Sequence, residues 1–171
     1  MKNAGLIIVS AFLGICLSVN THAQSSENDL DQVKLMEQLE GTWEAEVEQD
    51  TILYWDLKPY AKGYTWKFKW VTGDEAFAKA TGVSGFNGNY KKINAFVLWE
   101  DGTLARDLGQ FVSEKKLVME RFNVNHSHVI AMWELTLVTP DKADMIYKWK
   151  GKAEDYDENN VMKWTFVRLK K

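Results

Sequence analysis

From Tyr64 to Trp70 the chain alternates without a lapse. Tyr64, Trp66, Phe68 and Trp70 stand on one parity, and Thr65, Lys67 and Lys69 on the other. A period of two sends successive side chains to opposite faces of an extended strand, and a helix does not segregate residues spaced this way. The stretch therefore predicts a half-buried strand with a wide aromatic inner face. Trp43, Ala45 and Val47 repeat the pattern against Glu44, Glu46 and Glu48. So do Leu53, Trp55 and Leu57 against Tyr54 and Asp56. Further strands are expected at Ile93 to Trp99, Thr103 to Val112, Leu117 to Asn123, Val129 to Val138, Asp144 to Trp149 and Val161 to Leu169.

The links between these runs are short and polar: Glu100-Asp101-Gly102, Ser113-Glu114-Lys115 and Pro140-Asp141-Lys142. Such links favour hairpins, and hairpins in series make a meander in which sequential strands are neighbours. About nine or ten strands of this kind make a curved sheet that removes its edges by closing on itself. The fold class is therefore all-β: a single antiparallel up-and-down β-barrel of about nine or ten strands. One short N-terminal helix is expected over Asp29 to Glu40, with Leu30, Val33, Leu35, Met36 and Leu39 as its apolar side and Gly41 as its stop. A second, short helical insertion is expected from Asp74 to Ala80.

Residues 1–23 have the organisation of an export signal. Lys2 is the basic start, Leu6 to Val19 the apolar stretch, and Thr21-His22-Ala23 the small-residue cleavage site. The apolar stretch is shorter than the roughly 20 residues of a membrane span. The expectation is a periplasmic or secreted, soluble domain of residues 24–171. Lipid anchoring through Cys16 is the less favoured alternative, because Ile15 stands where a small residue is wanted. Cys16 is the single cysteine, so a domain without the signal has neither a disulfide nor a thiol nucleophile. The net charge of −3, one unit more negative without Lys2, provides no basic field for nucleic acid. Eight Trp, six Tyr and eight Phe suit broad strands around a well-filled interior.

Gly41-Thr42-Trp43, at the junction of the helix with the first strand, resembles the Gly-x-Trp motif of lipocalins and their calycin relatives. In those barrels the Trp closes one end under an Arg from the last strand. The resemblance assigns that closure here to Trp43 and Arg168. The whole domain also resembles an uncharacterised family of bacterial secreted lipocalin-like proteins. The resemblance runs through Gly85-Phe86-Asn87, Tyr90-Lys91-Lys92, Trp99, Asp101-Gly102-Thr103, Gly109 and Met162 to Arg168. It implies a fold and a compartment and brings no activity with it. The haem-binding nitrobindin-like barrels share Gly-x-Trp and a last-strand Arg, but they use a histidine near the C-terminus. No histidine follows His128, so haem is not carried over and no cofactor is expected.

Few constellations point to chemistry. His126 and His128 share a strand parity, with Glu120 as a third group, and form a weak candidate metal site. An exposed polar turn is the simpler reading. Asp155, Asp157 and Asn159 echo a calcium loop but lack its turn glycine and closing glutamate. Glu44, Glu46 and Glu48 form the wet side of a strand. No nucleophile elbow or phosphate loop is present.

The remaining signal is the aromatic set, with Trp66, Phe68, Trp70, Trp99 and Trp133 as candidate cavity walls. A barrel of this strand number is wider than the roughly eight-stranded kind that side chains just fill. The leading reading is thus a barrel binding a small, mainly apolar or aromatic molecule. One alternative is a solid barrel that meets another envelope protein. Another is an isomerase- or decarboxylase-like enzyme using the two His, Glu120 and tyrosines.

Overall fold

A computed structural model describes residues 30–48, 50–124, 128–150 and 156–170, and of 156–159 the backbone alone. Residues 1–23, with Cys16, and the whole signal reading lie outside the described residues. His126 and Asp155 do too, as do the side chains of Asp157 and Asn159. Among the described residues no helix is long and apolar enough to cross a membrane.

One short helix, α1 (Gln32–Glu37), precedes ten strands. They are β1 (Gly41–Glu48), β2 (Thr51–Tyr60), β3 (Gly63–Thr72), β4 (Glu75–Asn87) and β5 (Lys92–Trp99), followed by β6 (Leu104–Ser113), β7 (Lys116–Asn123), β8 (Val129–Thr139), β9 (Lys142–Lys150) and β10 (Tyr156–Arg168). Each strand pairs antiparallel with the next, and β10 returns to β1, so the sheet is a closed up-and-down barrel. The ladder that closes it is short. Among the described residues, β1 and β10 are in register at Trp43 with Arg168 and at Glu44 with Val167.

Two expectations need correction. The helix is shorter than its apolar spacing suggests. Asp31 caps it by accepting from the Lys34 amide at 3.0 Å. Tight bonds from Leu39 N to Met36 O and from Glu40 N to Glu37 O then end it ahead of Gly41.

The helical insertion over Asp74 to Ala80 does not exist. Gly73 and Asp74 turn a hairpin, and the alanines continue as β4. Their helix propensity, a fraction of a kcal/mol per residue, yields to pairing with β3. There Trp70 faces Ala78, Phe68 faces Ala80 and Trp66 faces Gly82. Small residues opposite large rings are what this wall requires. A Cβ on Gly82 would stand 2.6 Å from Cε2 of Trp66 and 2.6 Å from the Phe96 carbonyl oxygen.

All strands enter and leave at the same two ends of the barrel. At one end, here called the floor, α1 and the turn that follows it plug the opening with Met36 and Leu39. Gln32 is buried and bonds both backbone groups of Phe111, donating to its carbonyl at 3.1 Å and accepting from its amide at 2.7 Å. Gln38 donates to the Glu114 carbonyl. Leu39, Trp43, Leu135 and Phe166 are fully enclosed around this plug.

Arg168 completes the floor. Its guanidinium carbon lies 4.2 Å from the Trp43 ring centre. The same group donates to the carbonyls of Glu40, Gln38 and Pro140. Trp43 in turn donates from Nε1 to the Leu39 carbonyl at 2.9 Å. The clamp joins the helix exit, the first strand, the β8–β9 turn and the last strand, and the two residues that form it are also partners across the short closing ladder.

Candidate ligand-binding lumen

Above the floor the interior is not filled. A cavity of about 220 Å³ occupies the barrel and is bounded below by Met36 and Leu39. Trp66, Phe68, Trp70, Trp99 and Trp133, the five wall residues expected from the alternation, all line it. Four of them form a run of touching rings across β3 and β5. Trp66 meets Phe68 edge-on at 4.9 Å, Phe68 meets Trp70 at 5.8 Å, and Trp70 meets Trp99 at 5.4 Å. Trp55 on β2 stacks on Phe68 at 5.7 Å. Rings at 4.5–7 Å hold one another by more than area alone, so this wall is pre-shaped.

The opposite wall carries a feature the aromatic pattern does not announce. Asp107 on β6 is fully enclosed, and Arg121 on β7 grips it with a two-pronged pair. Nε reaches Oδ1 and Nη2 reaches Oδ2, each at 2.8 Å. Trp133 donates from Nε1 to Oδ2 at 3.2 Å. Asp107 and Arg121 stand directly opposite in register, which sets the fork geometry.

The Tyr147 ring centre lies 5.7 Å from the Arg121 Cζ. Burial alone would make the guanidinium easier to deprotonate. The bonded carboxylate of Asp107 outweighs that, so the group is held more firmly protonated than usual. Arg121 lines the cavity and Asp107 does not, so the pair presents its positive end to the lumen.

A sequence signal for this pair was available. Ala105, Asp107, Gly109 and Phe111 share the inward parity of β6, and Leu117, Met119 and Arg121 that of β7. Opposite charges on the apolar parity of two adjacent strands are what a buried pair looks like in sequence. Recognising it required the register, which alternation leaves open.

The weak metal candidates lie elsewhere. Glu120 is exposed on the outer face of β7, and His128 is exposed just before β8, while His126 is outside the described residues. Among the described residues, no three His, Cys, Asp or Glu side chains are grouped to hold a metal ion. Glu46 and Glu48 are exposed, as the wet side of β1 should be.

Two residues of the cavity wall carry a buried polar atom with no hydrogen-bond partner among the described residues: Nε1 of Trp55 and Oγ of Ser84. In comparisons with known proteins, no protein-family model matches this chain, and no curated protein matches it either.

Proposed function

We propose that this barrel binds a small, mainly apolar or aromatic molecule in its interior. The observation that carries the reading is the cavity of about 220 Å³ behind a wall of touching aromatic rings. An apolar cavity of about 150 Å³ takes benzene, so this one suits a body of one or two rings, with more room toward the open end. A few polar groups in a largely apolar pocket is the usual make-up of a small-molecule site. Asp107 is enclosed behind Arg121 and accepts from Arg121 and Trp133, which favours binding over proton transfer by this carboxylate.

Export belongs to the same reading. It rests on Lys2, the apolar run Leu6 to Val19 and the cleavage-like Ala23, and it makes the compartment periplasmic or extracellular. Kinship with lipocalin-like barrels rests on Gly41-Thr42-Trp43 and on Arg168 over Trp43.

Mass spectrometry of the protein taken from its native source, under native and then denaturing conditions, tests the binding reading. A released molecule with one or more rings is the expected result. A protein that carries nothing, and that also leaves small aromatic probes unbound, would overturn it.

A further inference from the structure

The lumen is apolar in area but one-sided in its polar atoms. Among the described residues that line it there is no Asp, Glu, Asn, Gln or His. Its polar side chains are Arg121, Tyr147, Ser84 and a set of tryptophans. Arginine and tryptophan only donate hydrogen bonds, whereas serine and tyrosine can do either. The one carboxylate nearby, Asp107, is sealed behind the guanidinium that faces the cavity.

The donors are also not all used. A guanidinium has five N–H groups, and the fork on Asp107 takes two of them. Arg121 lines the cavity, so a molecule that brings acceptors to its remaining N–H groups gains where a hydrocarbon does not. Resting on the reading of the barrel as a binding protein, we propose that its ligand is an aromatic carboxylate of one or two rings. The ring body lies against Trp66, Phe68, Trp70 and Trp99, and the carboxylate is received by Arg121 with Tyr147 beside it.

The choice of an acid follows from charge as well as from donor count. The Asp107–Arg121 pair is neutral overall, but its positive half faces the lumen, so an anion meets attraction and an ammonium group meets repulsion. Because the pair is itself buried, its oriented charge acts more strongly than it would at a surface.

Three probes of one shape separate the possibilities: 2-naphthoate, 2-naphthylmethylamine and 2-methylnaphthalene, titrated calorimetrically into the purified full chain. The acid is expected to bind about tenfold or more tighter than the amine, since bonds to a charged partner are the stronger kind. It is also expected to exceed the hydrocarbon. Tyr147→Phe should reduce the preference severalfold, and Asp107→Asn with Arg121→Gln should abolish it in a chain still folded by circular dichroism. The paired change avoids leaving a lone buried charge.

If the hydrocarbon or the amine binds as tightly as the acid, the carboxylate proposal fails and the binding barrel stands. If none of the three binds, the carboxylate proposal fails, and a native protein that also carries nothing takes the binding barrel with it. A preference that survives Tyr147→Phe and the paired change alike overturns the assignment to Arg121.

Discussion

The two ends of this barrel are made from the same strands and have opposite interiors. On β3, Tyr64 is buried at the floor, Trp66 is buried where the cavity begins, and Phe68 and Trp70 further along are only half-buried. On β9, Ala143 and Met145 give way to half-buried Tyr147 and Trp149. On β10, Phe166 is fully enclosed, Trp164 half-buried and Met162 43% exposed. Parity is constant along each strand, so it does not explain the gradient. Closure does. At the floor a helix and the Arg168 clamp exclude water, and an inward ring becomes core. Away from the floor, inward rings of the same kind line free space and become a wall. Whether an aromatic serves stability or binding is thus decided by what stands at the end of the barrel.

The comparison breaks most readily at Arg168. Replacing it with alanine removes the cation over Trp43 and leaves the carbonyls of Glu40, Gln38 and Pro140 without their donor. A loss on the order of 3 kcal/mol is expected, read by denaturant unfolding, with affinity for a lumen ligand retained. Unchanged stability would mean that the floor does not depend on the clamp.

Next in size is the response of the floor to alkali. Burial, and then the negative charges of Glu40 and Glu37, push the Tyr64 hydroxyl from the usual 10 up to about 12. The raised value means that the folded state resists ionisation. Its stability is intact below pH 10 and falls as the pH rises through about 12, by on the order of 2 kcal/mol. Tyr64→Phe should remove this component from the stability profile between those values. A profile of the same steepness in the variant would assign the alkaline loss to other groups.

The smallest expected cost to the fold lies on the wall. Trp70→Ala should weaken binding of an aromatic ligand about tenfold while lowering stability by about 1–2 kcal/mol, because the half-buried ring loses its contacts with Phe68 and Trp99 but leaves little new cavity behind. A folded variant with undiminished affinity would remove Trp70 from the site. A large stability loss would make the wall an extension of the core and erase the contrast between the ends.

Much of this architecture is legible in the chain. Alternation places Trp66, Phe68 and Trp70 on one face, and polar turns order the strands as a meander, because period and turn chemistry are local properties. It fails locally at Asp74 to Ala80. There the alanines look helical, and only the need for small residues opposite the rings of β3 makes them a strand. The site divides in the same way. The five aromatic wall residues follow from parity, whereas Asp107 and Arg121 acquire meaning only when β6 and β7 come into register. Gln32 reads as one more polar helix residue until it bonds the backbone of Phe111.

What the sequence by itself determined is which side chains face inward, since that depends on a spacing of two and on nothing distant. The tertiary structure alone decided how wide the closed barrel is, which inward residues meet across it and at which end it is sealed. Those outcomes depend on register and closure between segments far apart in the chain. They make one set of inward rings a solid floor and the next a lined cavity with a guanidinium turned toward it.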